Sequence, residues 1–374
     1  QAMTQAMRIM ARQFVMGRTI EEALSRAEDK ANRRYRHSFD MLGEAALTAE
    51  DAARYLTAYG AAIEAIGAAR GDRTIEHAPG ISVKLSALHP RYEFAQRRRA
   101  LDELAPRLRS LAVKAKQAGI GLTVDAEEAD RLDLSLDLVE KMLSEPALEG
   151  WDGLGVAVQA YQKRGASGID WLAETARGRR RKLMVRLVKG AYWDSEIKRA
   201  QELGLDGYPV FTRKVATDVS YLACARRLFA AADVIYSQFA THNAHTIAAV
   251  VELGGNTAFE FQRLHGMGEA LYERGFGERH REIPCRIYAP VGRHEDLLPY
   301  LVRRLLENGA NTSFVNRLID EKAPIAKLIA DPAETLDRLT PKPHPRIPLP
   351  QHILGDGRIA ARGLDLTDPA VLAP

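Results

Sequence analysis

Short apolar segments that end in a polar or charged residue recur along the chain, and each is followed by a stretch with helical periodicity. The clearest example is Leu183–Val188, which runs into Lys189 and Gly190. The segments with strand character are 38–42, 81–85, 121–125, 155–159, 183–188, 234–241, 258–262 and 286–289. The segments with helical period are 49–69, 97–118, 132–143, 170–176, 211–231, 244–253, 266–274 and 295–308. The pattern predicts about eight strand-helix units.

Eight such units predict an α/β fold of the (β/α)8 TIM-barrel class. A doubly wound sheet is the alternative, but such a sheet normally carries phosphate-binding glycines after its first strand. No G-x-G-x-x-G or Walker-type run follows any of these segments, so the pattern favours the barrel.

Polar side chains stand at or just beyond the carboxyl end of most predicted strands. They are Lys84, Asp125, Gln159, Arg186, Lys189, Thr241, His242, Gln262 and Tyr288. Each one alone is equally explained by a strand reaching solvent. A barrel would gather them at one mouth, where enzymes of this fold place their chemistry.

The last predicted helix permits two interpretations. Leu298, Leu301, Leu305 and their neighbours share one face, and Arg303, Arg304 and Glu307 share the other. Periodicity alone favours a solvated face with an Arg303–Glu307 pair. If this helix lies over the barrel mouth instead, two adjacent guanidinium groups could clamp a carboxylate.

Composition fits a large soluble enzyme of 374 residues with 46% hydrophobic content and no apolar run long enough to span a membrane. Cys224 and Cys285 are too few for a disulfide framework and suggest a cytoplasmic protein. The net charge of +4 and the basic run 177–182 raise the possibility of nucleic-acid binding. The run precedes a strand, which favours a solvated loop on the far rim of the barrel.

A metal centre is not expected. His242 and His245 could share a helix face, but zinc requires at least a third matching ligand. Asp125, Glu127 and Glu128 form only a weak acidic cluster. The lysines and arginines at the predicted mouth favour an anionic substrate instead.

The ends of the chain differ from its middle. Residues 1–34 begin as a Met- and Arg-rich amphipathic stretch that is predicted to be helical, and 341–350 is Pro-rich with little periodicity. Segments of the latter composition are commonly linkers. We expect the chain to be a fragment of a larger polypeptide.

Four segments resemble the proline dehydrogenase family. They are Lys189-Gly190-Ala191-Tyr192-Trp193-Asp194, Thr241-His242-Asn243, the run 259–268 (FEFQRLHGMG) and the run 300–314 (YLVRRLLENGANTSF). The likeness extends from about Tyr35 to Arg317 and is strongest to the proline dehydrogenase domain of bifunctional bacterial proline utilization flavoenzymes. It implies an amino-terminal helical segment at 1–34, a distorted FAD-binding barrel at 35–325 with the last helix over its mouth, and a connector at 326–374 toward an absent aldehyde dehydrogenase domain.

The resemblance implies oxidation of L-proline to Δ1-pyrroline-5-carboxylate, with hydride transfer to flavin N5 and electrons passed to a membrane quinone. By likeness, the catalytic residues are Asp125 and Arg186. Substrate-binding positions would be Lys84, Asp125, Ala191, Tyr192, Leu264, Tyr288, Arg303 and Arg304. FAD-binding positions would be Asp125, Gln159, Arg186, Val188, Gly190, Ala191, Trp193, Thr212, Arg213, Lys214, Thr241, His242, Asn243, Gln262, Tyr288, Arg304 and Glu307. The resemblance also implies peripheral membrane contact of the parent protein, whereas no nucleic-acid binding is expected of this fragment.

Two other functions remain open on sequence. A Schiff-base aldolase could use Lys84 or Lys189 as its nucleophile, because a lysine among other cations loses its proton more readily. A basic module could bind nucleic acid or an anionic membrane in a salt-dependent way.

Overall fold

The structure is a computed structural model, and it describes residues 13–274, 283–292, 300, 302–303, 330–355 and 357–372. Within these ranges, eight parallel strands close into a barrel in sequence order, from β1 paired with β2 round to β8 paired with β1. The strands are β1 Arg36–Met41, β2 Gly80–Val83, β3 Leu122–Val124, β4 Leu154–Gln159, β5 Leu183–Val188, β6 Ile235–Ala240, β7 Phe259–Leu264 and β8 Cys285–Val291. The predicted (β/α)8 fold is confirmed.

Helices connect the strands and cover the barrel. In chain order they are α1 Ile20–Ala27, α2 Ala49–Ala68, α3 Leu85–Leu88, α4 Arg97–Ala118, α5 Leu132–Leu143, α6 Gly165–Arg179, α7 Trp193–Glu202, α8 Lys214–Ala230, α9 Ala244–Gly254 and α10 Glu269–Arg274, with α11 Pro332–Asp337 and α12 Pro369–Leu372 in the tail. Local sequence fixes several of their ends. Thr48 and Asp51 form a capping box at the start of α2, and Gly119 ends α4 in the left-handed conformation.

Alternation along the strands separates a polar interior from an apolar shell. In β5, Val185 and Leu187 are fully buried among the helices. Arg186 points the other way and crosses the interior to reach Ser38 on β1. Because β1 and β5 lie opposite each other in the ring, this contact places both side chains inside the barrel. Polar groups thus fill much of the interior, while aliphatic residues seal the barrel against its helices.

Several predicted boundaries were wrong for identifiable reasons. Leu85 was assigned to the second strand, but it begins α3. It is fully buried, and a short apolar run does not distinguish a buried strand from the start of a buried helix. The predicted helix at 266–274 begins only at Glu269, because Gly266 and Gly268 adopt positive φ. The predicted helix at 211–231 begins at Lys214. Helix α7 was missed because its polar composition hides the apolar face that contains Ile197 and Ala200.

The basic run 177–182 precedes β5 and so lies on the rim opposite the carboxyl ends of the strands, as expected. Its first residues, however, are helical rather than loop: Arg177 and Arg179 close α6 and pair with Asp233 and Glu140. Both are exposed surface ion pairs, which contribute little to stability. In the described part of the chain no helix has the length and apolar character needed to cross a bilayer.

The Pro-rich tail packs against the barrel. Tyr208 donates a hydrogen bond to the Pro348 carbonyl at 2.6 Å, and the His344 backbone N–H donates to Thr212 Oγ1 at 2.9 Å. Gly363 N–H donates to the Gly204 carbonyl at 2.8 Å. The tail thus follows the segment that joins α7 to α8. The predicted amino-terminal helical segment at 1–34 lies partly outside the described residues, which begin at residue 13 and include α1 within this segment.

Candidate active site

The barrel mouth centres on Lys84, which directly follows β2. Its ammonium group lies 2.7 Å from Asp40 Oδ1, 3.4 Å from Asp125 Oδ2 and 3.3 Å from the Tyr288 hydroxyl. Asp40 comes from β1, Asp125 follows β3 and Tyr288 lies in β8. These are neighbouring strands of one closed sheet, so the fold itself brings the four groups together.

Arg186 extends this cluster across the barrel. Its Nη1 lies 2.6 Å from Asp125 Oδ1, and its Nε donates to Gln262 Oε1 at 2.7 Å. Nη2 donates to Ser82 Oγ at 2.9 Å, and the guanidinium stands 5.1 Å from the centre of the Tyr288 ring. Arg186 is 3% exposed. A cation this buried is held by charge-assisted bonds on several sides, which fixes its position.

Burial and the opposing charges together set the ionisation of Lys84. Desolvation acts to lower the pKa of Lys84, but the adjacent Asp40 carboxylate, followed by Tyr288 and Asp125, outweighs it and holds the pKa well above its usual range. Burial raises the pKa of Asp40, against the attraction of Lys84. Lys84 is therefore a protonated ammonium at neutral pH. A Schiff-base nucleophile needs a free amine, so this environment argues against the aldolase alternative for Lys84.

Glu260 supports the cluster from inside the barrel and was not anticipated from sequence. Its carboxylate is fully buried and accepts bonds from Arg286 Nε at 2.6 Å and Arg36 Nη1 at 2.9 Å. It also accepts from Gln262 Nε2 at 2.9 Å. Because the amide nitrogen of Gln262 faces Glu260, its oxygen must face Arg186. Burial opposes ionisation of Glu260, but Arg286 and Arg36 lower the pKa below the usual glutamate value.

Arg303 lies at the same mouth and does not occupy a freely solvated helix face. Its two terminal nitrogens contact Glu44 Oε1 and Oε2 at 2.7 and 2.8 Å. The guanidinium also stands 5.1 Å from the centre of the Tyr192 ring. Its side chain is 15% exposed. The expected Arg303–Glu307 pair is not tested, because Glu307 and Arg304 lie outside the described residues.

The loop after β5 carries the next group of predicted residues. Val188 ends the strand, and Gly190 follows with φ near +134°. A Cβ at Gly190 would lie 2.4 Å from the Tyr161 ring, so glycine is required there. Ala191 is exposed, and Trp193 Nε1 donates to the Phe211 carbonyl at 2.8 Å. This loop thus presents backbone at the mouth.

The predicted cofactor residues before α8 lie beside the tail. Arg213 donates to the carbonyls of Lys342 and Pro343 at 2.9 and 3.2 Å, and Thr212 accepts from the tail as described above. Lys214 pairs with Asp218 at 2.8 Å, and Lys189 pairs with the same carboxylate. These residues therefore form a second group of contacts, distinct from the cluster of Lys84, Asp125 and Arg186.

Residues after β6 complete the rim. Thr241 Oγ1 accepts from the Asn243 N–H at 3.2 Å, and Asn243 caps α9 by accepting from Thr246 N–H at 3.1 Å. His242 Nε2 accepts from the Leu264 N–H at 3.1 Å. Leu264 ends β7 and packs against a small cluster that includes Leu42 and Tyr300. No group of three His, Cys, Asp or Glu side chains among the described residues is arranged to hold a metal ion.

Gln159 ends β4, is buried, and accepts from Gln162 Nε2 at 2.6 Å. Sequence reasoning missed Asp40, Glu44 and Glu260. Asp40 and Glu260 stand within predicted strands at every-second-residue spacing from Ser38 and Gln262. That alternation was the available signal for two inward-facing carboxylates.

The donor set is suited to a flavin nucleotide. Arg186 offers a buried cation and Gln159 an amide group at the strand ends, which suit the carbonyl and imide groups of a flavin ring. Arg213 and Lys214 add positive charge at the amino-terminal end of α8, where an anionic group binds favourably. The residues present therefore fit such a group.

Comparison with known proteins gives one consistent family. A family model described as proline dehydrogenase matches residues 23–317. The chain is 58% identical to the bifunctional protein PutA of Salmonella typhimurium and to that of Escherichia coli, over 98% of this chain and 29% of each relative. It is also 28% identical to proline dehydrogenase 1 of Bacillus subtilis, over 84% of this chain and 92% of that protein.

The solved structures agree. A variant of proline utilization A from Bradyrhizobium japonicum superposes with a TM-score of 0.92 at 56% identity, covering 99% of this chain and 38% of that one. A structure described as proline utilization A with proline bound in remote sites has the same score, identity and coverage. The chain thus spans less than a third of the length of the PutA relatives that it matches.

Proposed function

This chain belongs to the proline dehydrogenase family, and we propose that it uses FAD to oxidise L-proline to Δ1-pyrroline-5-carboxylate, the first step of proline catabolism. The observation that carries the proposal is the linked cluster of Lys84, Asp125 and Arg186 at the carboxyl ends of the barrel strands. It offers charged partners for a small zwitterion beside donors suited to a flavin.

Substrate binding is assigned to the groups around Lys84. Lys84 and Arg303, with Arg304, would hold the proline carboxylate by charge-assisted hydrogen bonds. Tyr288, Leu264, Tyr192 and Ala191 would border the ring. A carboxylate fixed by several cations is oriented as well as bound, and orientation places the reacting ring carbon for transfer. The ring nitrogen must enter as the free amine so that its lone pair assists.

Cofactor binding is assigned to two groups of residues. Arg186, Gln159, Asp125, Gln262 and Tyr288 would contact or position the ring. The remaining portions would meet Val188, Gly190, Ala191, Trp193, Thr212, Arg213, Lys214, Thr241, His242 and Asn243, together with Arg304 and Glu307. When bound, FAD would supply a hydride acceptor at N5 and deliver the electrons to a quinone.

The chain's own residues shape the electrostatics of this step. The buried Arg186 guanidinium would stabilise negative charge that develops beside it during transfer. Asp125 contacts Arg186, Lys84 and Tyr288 at once. It would therefore orient both the substrate-binding and the cofactor-binding cations. Gln262, fixed by Glu260, holds Arg186 from the opposite side.

The wider setting is also a proposal. The bifunctional relatives are more than three times as long as this chain, which supports a parent protein with an aldehyde dehydrogenase domain after the tail. Transfer to a quinone would require the parent protein to contact the membrane periphery from the cytoplasm.

The test is spectroscopic. Purified chain should carry flavin absorbance released by denaturation as FAD, and anaerobic L-proline should bleach the oxidised band. A chain fully loaded with FAD whose spectrum does not respond to L-proline would contradict the proposal. A colourless chain trapped on a carbonyl compound by borohydride would favour the aldolase instead.

A further inference from the structure

Asp40 is a fully buried carboxylate in β1 that faces into the barrel. Its Oδ1 lies 2.7 Å from Lys84 Nζ, and its Oδ2 has no hydrogen-bond partner within the described ranges. An unpaired carboxylate at such a position is strongly unfavourable. The ammonium group of Lys84 is the cation that compensates it. The two side chains therefore depend on each other.

The donors of Lys84 are fully used in the structure. An ammonium group has three N–H bonds, and here they face Asp40 at 2.7 Å, Tyr288 at 3.3 Å and Asp125 at 3.4 Å. A substrate carboxylate that arrives at Lys84 must replace one of them. The two longer contacts are the weaker ones, and Asp125 and Tyr288 keep each other as partners at 2.6 Å after release. The contact to Asp40 therefore persists in the complex.

We propose that Asp40 is a positioning residue for Lys84, keeping the ammonium charged and in place while a substrate carboxylate binds on its other side. This inference deepens the proposed function and rests on it. Asp40 does not touch the substrate in this account. It acts through Lys84, and its contribution appears only where the charge of Lys84 matters.

The surroundings of Lys84 determine the effect of removing Asp40. Lys84 is 6% exposed, and burial without a partner lowers the pKa of a lysine by up to about 3 to 5 units. The charged and titratable groups that face it are Asp40 in β1, Glu44 after β1, Tyr59 in α2, Asp125 after β3, Tyr192 after β5 and Tyr288 in β8. Asp40 makes the shortest contact of these, and its charge is the strongest of those that keep Lys84 protonated.

The experiment uses Asp40→Asn in the full, FAD-loaded chain. Asparagine keeps the size of the side chain and one oxygen acceptor but removes the charge. The probe is tetrahydrofuran-2-carboxylate, in which an ether oxygen replaces the amine of proline, so the ligand has no group that titrates between pH 6 and 10. Its dissociation constant is measured by the change in the flavin spectrum across that range.

Wild type should bind the probe with little change up to about pH 10. For Asp40→Asn, binding should remain within a few fold of wild type at pH 6 and should be lost at a pH about one unit or more lower, because Lys84 then loses its proton sooner. An unchanged pH profile, or an equal weakening at every pH, would overturn the proposal. Asp233→Asn is the matched control. It removes a carboxylate that pairs with Arg177 on the opposite rim and should leave the pH profile unaltered.

A double-mutant cycle adds a second test, because it asks whether Asp40 acts only through Lys84. Lys84→Met with Asp40→Asn removes both members of the buried pair and leaves no unpaired charge. In the Lys84→Met background, Asp40→Asn should leave the dissociation constant of the probe unchanged at every pH. A further weakening in that background would show that Asp40 acts independently of Lys84. Wild type that fails to bleach with L-proline would instead contradict the proposed function, which separates the two failures.

Discussion

Arg303 and Glu44 provide a test of whether the ion pair at the barrel mouth is structural or functional. Glu44 occupies both terminal nitrogens of Arg303, so a substrate carboxylate must compete with it. Arg303→Met removes a charge-assisted partner that is mostly buried. We expect this to cost about 2 to 4 kcal/mol in transition-state binding, which lowers kcat/KM for proline by about thirtyfold to several hundredfold.

Glu44→Gln should act in the opposite direction. It removes the competitor and leaves Arg303 in place, so the KM for proline should fall or stay unchanged. Steady-state kinetics with proline and one carboxylate inhibitor, on folded and FAD-loaded variants, provides the measurement. Inhibitor affinity should follow the change in kcat/KM, because the lost contact is to the carboxylate.

Two results would contradict binding of the substrate carboxylate by a free Arg303. If Arg303→Met leaves proline kinetics and inhibitor affinity unchanged, the pair is only structural and Arg303 does not bind the carboxylate. If Glu44→Gln and Arg303→Met weaken proline binding equally, the intact pair is the functional unit, not the free arginine. The Glu44→Gln variant alone separates these cases, because only a functional intact pair predicts that it weakens proline binding as much as Arg303→Met does.

Three further predictions concern the scaffold. Glu260→Gln should lower the free energy of unfolding by about 3 to 5 kcal/mol, because Arg286 and Arg36 lose their buried carboxylate. Denaturant titration measures this change beside Asp233→Asn, which should change the free energy of unfolding by less than about 1 kcal/mol. Equal changes in the two variants would contradict the prediction. Gly190→Ala should lose at least about 1 to 3 kcal/mol of stability together with most of its bound flavin, because of its positive φ and contact with Tyr161; unaltered melting and flavin content would show that the loop tolerates a side chain. Burial raises the pKa of Glu196 to about 7, so the folded state binds this proton more tightly than the unfolded state, and the stability that the proton contributes is lost as pH rises from about 4.5 to 7. The melting temperature of Glu196→Gln should therefore rise relative to that of wild type between pH 5 and pH 8. A constant difference in melting temperature would contradict the assignment.

Much of the barrel was predictable because each strand-helix unit is encoded locally. Leu183–Val188 and Arg97–Ala118 match the predicted bounds, since an apolar run and an apolar face are properties of the segment itself. Helix α7 was not predictable in this way. Its buried positions are few: Glu196, Ile197 and Ala200.

The site was predictable only in part. Lys84, Asp125 and Arg186 follow from their positions at strand ends, and the structure brings them together. Asp40 carried the weaker signal of alternation inside a strand. Glu44 carried no local signal, because its role arises from contact with Arg303, more than 250 residues away in sequence. Pairings of this kind depend on the closed ring, which no single segment contains.

The anaerobic reaction of the FAD-loaded chain with L-proline shows whether the strand-end cluster oxidises this substrate. We expect L-proline to bleach the oxidised flavin band and stoichiometric Δ1-pyrroline-5-carboxylate to appear, while D-proline at the same concentration reacts far more slowly because the carboxylate clamp fixes the orientation of the ring. A fully loaded flavin that L-proline leaves oxidised would contradict the account.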